Sequence, residues 1–207
     1  MPLWSDLHPT DFPLIQRVWL DRPGSYNLVA PTGTAFVRAA AAGCGGFKDD
    51  ADGWGGGAAF AFNKEAAAAG ATFTAQVGDP EFSRPSANTT AGDSWVKRSN
   101  ATNLVYADRG RPDGSAGLAA NSTGLTTRSG SAATGSAGGA GAGDAGDTAA
   151  MGFGGRGANP GTSEANLDAL AAWYGGGGGR RSARQVPIIP AGCGLVCVEF
   201  YTQDPRY

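Results

Sequence analysis

Histidine occurs once in this 207-residue chain, at His8, and cysteine three times. A lone histidine in a proline-rich stretch is poorly placed as a catalytic base, and Cys44, Cys193 and Cys197 with it reach no recognisable zinc spacing. Charge is sparse as well: charged residues make up 16% of the chain, and the net charge is -2 with lysine and arginine scattered. A stripe of cations that would follow a nucleic acid backbone is therefore missing, and nucleic acid is not an expected partner. Apolar runs such as Ala58 to Phe62 fall far short of the ~20 residues needed to cross a bilayer, so membrane insertion is not expected either. Met1 to Pro9 lacks the basic start and apolar centre of a signal peptide, which points to synthesis and assembly in a cytoplasm. Neither a G-x-x-x-x-G-K-[ST] phosphate loop nor a G-x-S-x-G elbow is present. The expectation is a chain that is not an enzyme and carries no cofactor or metal.

Glycine, by contrast, is abundant: 35 of the 207 residues, against a usual ~7%. It is concentrated with alanine, serine and threonine between Asp108 and Gly161, where Leu118, Leu125, Met151 and Phe153 are almost the only large apolar side chains. Ordering a residue costs on the order of 1–2 kcal/mol of backbone entropy, most of all for glycine. Such a tract cannot build its own core; it is either a flexible linker or a surface held by its flanks. Glycine never keeps a strict third-residue period, which excludes collagen, but polyproline-II-like glycine strands can pack side by side because no side chains separate them.

The flanks carry the apolar material. Residues 1–13 combine Pro2, Pro9 and Pro13 with Trp4 and Leu7, as an extended arm lying on a partner or as a frayed terminus. Strands are expected at Leu14 to Leu20 and Tyr26 to Val29, divided by the Pro23-Gly24 turn. Thr34 to Ala42 reads as a buried strand running into Gly43-Cys-Gly-Gly46, with helix as the rival because of its alanines. Asp49 to Gly53 has half the look of a calcium loop, but Lys48 and Ala59 occupy ligand positions, and a solvated acidic turn is the simpler reading. Asn63 to Gly70 suggests one helical turn, and Thr72 to Val77 alternates as a half-buried strand. Shorter strands are expected at Ser94 to Val96 and Leu104 to Ala107. Leu167, Leu170, Ala171 and Tyr174 fall at helical spacing between Thr162-Ser163 and Gly175, predicting a helix over about 163–174. Gly194 to Tyr201 closes the chain as a strand with Val196, Val198 and Phe200 on one face. On that strand Cys193 and Cys197 would lie about 13 Å apart, so any disulfide has to involve Cys44 or another subunit, and a cytoplasmic origin favours three thiols.

In succession, Pro23-Gly-Ser-Tyr26, Pro31-Thr-Gly33, Phe36-Val37 into Gly43-Cys-Gly-Gly46, Gly55-Gly-Gly57, Thr72 to Gly78, Ala91-Gly-Asp-Ser94 and Ala191 to Tyr201 resemble the glycine-rich domain of bacteriophage tail fibres and related virion proteins. The resemblance covers roughly residues 22–201, with tracts more diluted by alanine and serine. It implies a mainly β fold, with a compact antiparallel β-sandwich-like core, long glycine-rich loops of polyglycine-II type and one short helix. Residues 1–20 would form the arm and first strand, and 21–207 a single glycine-rich domain. It further implies a structural virion protein in a homo-oligomer such as a trimer, joined to other virion proteins through residues 1–20. Trp4 and Leu7 in the arm, and Trp54 and Phe153 beside the loops, are the candidate contacts with a partner or a host surface glycan. A glycan-binding adhesin is the alternative. A depolymerase is the third reading, with Asp79 and Glu81, or Asp49 and Asp52, as its carboxylates.

Overall fold

The computed structural model describes residues 14–46, 55–79, 90–133, 139, 141 and 192–204. These hold nine strands: β1 (Leu14–Leu20), β2 (Gly24–Val29), β3 (Phe36–Ala42), β4 (Phe60–Ala66), β5 (Thr72–Val77), β6 (Ser94–Arg98), β7 (Asn103–Ala107), β8 (Thr126–Arg128) and β9 (Leu195–Tyr201). They form two antiparallel sheets, ordered β1-β9-β3-β4-β8 and β2-β5-β6-β7, which pack face to face as a sandwich.

Alternation along the strands sets the packing. On β5, Phe73, Ala75 and Val77 are buried while Thr72, Thr74 and Gln76 point outward, since successive strand residues face opposite sides. Val37, Ala39 and Ala41 of β3 meet Val196, Val198 and Phe200 of β9 and Phe73, Val96, Leu104 and Val105 of the other sheet in one core. Each large apolar side chain removed from water there contributes about 1.5–3 kcal/mol. The opposite face of the five-stranded sheet is buried too, through Ala40, Ala42, Phe60, Phe62, Leu195 and Cys197. Strands β3 and β9 are therefore buried on both faces, and this explains the run of alanines in β3. Alanine favours helix in isolation, but its small side chain lets the central strands be covered closely from both sides, and tertiary packing outweighs propensity.

The strand reading thus holds over its helical rival for Phe36–Ala42, two residues short of the expected start at Thr34. Asn63 to Gly70 departs from expectation: Asn63 to Ala66 extend β4, where Asn63 Nδ2 donates to the Leu104 carbonyl across the sandwich at 3.0 Å. Only the end of that segment turns, with the Ala71 N–H donating to the Ala68 carbonyl at 3.1 Å. Strand β8 was not anticipated inside the glycine tract. The arm 1–13 and the helix expected over about 163–174 lie outside the described residues.

Strand β9 sits between β1 and β3 and pairs antiparallel with both, with a register shift against β1 between Leu14 and Gln16. The first sheet is thus complete only when the chain has travelled through everything between β8 and β9.

Candidate functional site: the glycine bundle at one end of the sandwich

Strands β3, β5, β7 and β8 end, and β4, β6 and β9 begin, at the same end of the sandwich, as their registers require. The glycine-bearing segments 43–46, 55–59, 108–117, 129–133 and 192–194 emerge there together. Their backbones hydrogen-bond to one another. Gly46 N–H donates to the Gly56 carbonyl at 2.8 Å, Gly56 N–H to Arg111 at 3.0 Å, Gly57 N–H to Ser131 at 2.9 Å, Gly117 N–H to the Gly57 carbonyl at 2.8 Å, and Gly139 N–H to Gly55 at 2.9 Å. Three consecutive residues, 55 to 57, therefore make five bonds to four other stretches of chain. A β-strand serves two neighbours in one plane, whereas a backbone with three residues per turn presents its groups radially. Bonding to more than two neighbouring stretches is what side-by-side packing of glycine segments requires, and the described beginning of the tract, 108–117, takes part in it.

The packing explains the glycines by distance rather than by dihedral angle. None of Gly46, Gly55, Gly56 or Gly110 has a left-handed φ, yet a Cβ on Gly55 would overlap the Gly46 carbonyl and one on Gly56 the Ser115 carbonyl. Close backbone approach is a use that only glycine fills.

Two buried aspartates fasten the bundle to the sheets. Asp93, fully buried before β6, accepts from the Arg109 backbone N–H at 3.0 Å, from Arg109 Nη1 at 3.2 Å and from the Tyr106 hydroxyl. Burial raises its carboxyl above the ordinary value despite these donors, and burial with the neighbouring carboxylate raises the Tyr106 hydroxyl. Asp108, just after β7, accepts both Nη atoms of Arg111 at 3.1 and 3.2 Å, the Leu118 N–H at 2.9 Å and Asn121 Nδ2 at 3.2 Å. Its own carbonyl receives the Ala59 N–H at 2.8 Å. Sequence reasoning missed both aspartates. The signal available was an Asp and an Arg side by side at the edge of a tract of small residues, where solvation alone does not call for them.

A third ionic group lies on the outer face of the five-stranded sheet. Glu199 accepts from Arg38 Nε and Arg17 Nε, each at 2.5 Å, and from the Tyr201 hydroxyl at 2.7 Å. Burial pushes its carboxyl up, but these donors outweigh it and the pKa lies below the ordinary value.

All three cysteines are free thiols. Cys44 is buried beneath the bundle, with Gly92 close to its sulfur, Cys193 Sγ lies 3.4 Å from the Asp21 carbonyl, and Cys197 belongs to the outer apolar cluster. Burial raises the Cys193 thiol and pushes Cys197 up to about 12, so both are protonated at neutral pH; a protonated thiol is a poor nucleophile. Among the described residues no group of three or more His, Cys, Asp or Glu side chains is placed to hold a metal ion, and no helix is long and apolar enough to cross a membrane. A small groove at the opposite end of the sandwich is lined by Glu65, Ala67, Ala71, Phe73 and Arg98, with Arg98 Nε donating to Glu65 at 2.7 Å.

Trp4, Leu7, Trp54 and Phe153, the candidate contacts, lie outside the described residues, as do Glu81, Asp49 and Asp52; Asp79 is described and half-buried. Compared with protein-family models and with curated proteins, the chain matches none.

Proposed function

We propose that this chain is a non-enzymatic structural component of a bacteriophage particle, held to other virion proteins by residues 1–20 and presenting its glycine bundle outward. The observation that carries the reading is the bundle itself: five segments whose backbones are bonded to one another at one end of a sandwich. A compact array of backbone dipoles without bulky side chains makes a stiff projection with little to catalyse and little to oxidise. Its charged anchors are bonded among themselves in the fold. Resemblance in the order of motifs to glycine-rich virion domains supports the same reading.

The experiment is deletion of residues 1–13, with wild-type and truncated proteins supplied to assembling particles. The truncated protein is expected to keep the wild-type melting transition and to be missing from purified particles, as read by antibody. A truncated protein that enters particles normally, or a wild-type protein absent from them, contradicts the reading.

A further inference from the structure

The outward face of the four-stranded sheet has a composition unlike that of an ordinary solvated sheet face. Registers β2–β5, β5–β6 and β6–β7 align Gln76, Trp95 and Tyr106 in one row and Asn27, Thr74 and Lys97 in the next. With strands ~4.8 Å apart, the three-strand row spans about 10 Å, and the second row lies about 7 Å from it. Lys97 is the only charged side chain in these two rows. Solvated faces are normally rich in lysine and glutamate; here amides and hydroxyls take their places.

Several of these groups have hydrogen-bonding capacity that the fold does not use. The side chains of Asn27 and Thr74 bond to no described residue, while Ser25 and Gln76 bond to each other and Gln76 Nε2 to the Val77 carbonyl of its own strand. Tyr106 is held from below by the hydroxyl bond to Asp93. Trp95 is half-buried at the centre of the upper row, and the Lys97 ammonium lies over its ring, 4.2 Å from the centroid. The ring face thus already attracts an electropositive partner.

The chemistry of the face selects among occupants. A protein interface needs a desolvated apolar centre, and among the described outward residues of β2, β5, β6 and β7 the one exposed large aliphatic side chain, Val29 at 60%, stands at the end of the edge strand. Nucleic acid needs several phosphate-pairing cations, and one is present. A sugar ring presents electropositive C–H groups on its flat face and hydroxyls around its edge. The first suits an indole face and the second suits amides and hydroxyls that both donate and accept.

We infer that this sheet face is a glycan-binding site, with a pyranose ring stacked on Trp95 in place of the Lys97 ammonium and its hydroxyls bonded by Asn27, Thr74 and Gln76. Lys97, swung off the ring, bonds a hydroxyl or a uronate carboxylate. The site uses neither Trp54 nor Phe153, and it holds or fails regardless of whether the chain belongs to a particle.

The test is affinity electrophoresis of the full chain through native gels containing dextran, galactomannan or alginate. Retardation is expected in at least one gel, with affinity at least tenfold weaker for Trp95→Ala. Asn27→Glu, at an exposed position away from the core, is expected to weaken binding comparably while keeping the wild-type melting midpoint. If the alginate gel is the one that retards, Lys97→Ala is expected to lose more affinity there than in a neutral gel. Absence of retardation in all three gels, or retardation that survives both Trp95→Ala and Asn27→Glu, overturns the inference.

Discussion

Asp93 and Glu199 are both buried carboxylates with arginine partners, yet their environments move them in opposite directions. Glu199, with its pKa lowered in the fold, contributes stability that is fully present above the unfolded value near 4.5 and is lost as pH falls through the folded value. Asp93, raised by burial, contributes the opposite slope: stability falls as pH rises from the unfolded value near 3.8 through the folded one. The Glu199→Gln variant is therefore expected to be less stable than wild type at neutral pH, by about 3 kcal/mol, because two arginines lose their charged partner. That difference is expected to shrink below pH 4.5 in denaturant titrations; a constant difference down to pH 2 contradicts the assignment. At the glycines the argument is steric. Gly55→Ala is expected to cost about 2–3 kcal/mol through overpacking. Gly70→Ala, with open space around its Cβ but φ of +80°, is expected to cost only about 1–2 kcal/mol. Comparable melting losses for the two would mean that the backbone contact at Gly55 is softer than described.

Among the elements, β9 decides whether the first sheet exists. Its position between β1 and β3 makes the sheet depend on a pairing between the two ends of the chain, which is slow to form because loop closure precedes the reward. Removing residues from Leu195 onward is expected to abolish cooperative thermal unfolding, read by circular dichroism; a retained transition would show that β1 and β3 manage without it. Strand β9 was legible in the sequence because Val196, Val198 and Phe200 alternate with side chains that are buried on the other face. Strand β5 was legible for the simpler reason that Thr, Thr and Gln alternate with Phe, Ala and Val. Strand β4 was not legible, since Phe60-Ala-Phe62 is too short a pattern by itself, its second half, Asn63-Lys-Glu-Ala66, carries helix formers, and the bond from Asn63 to Leu104 that fixes it is long-range. Strand β8 was hidden for a related reason. Thr126-Thr-Arg128 pairs with Phe60 to Phe62, and three polar residues carry no period of their own. The aspartate anchors of the candidate site were hidden too, because burial of a carboxylate is decided by folding and not by spacing.

For the molecule as a whole, the sandwich and the glycine bundle form one construction, in which the sheets gather the loops at one end and the loops bond to one another there. The central claim is that the described glycine segments are part of the folded protein and not a linker attached to it. Amide hydrogen exchange on the isolated chain tests this most directly, since the N–H groups of Gly46, Gly56, Gly57 and Gly117, all buried, each have a backbone acceptor. Exchange from these glycines is expected to be as slow as from the core strands β3 and β9, because opening the bundle strips bonds that water cannot reach while it is closed. Exchange within seconds at these positions, beside slow exchange in the strands, would contradict the account and leave the sandwich carrying a loose tract.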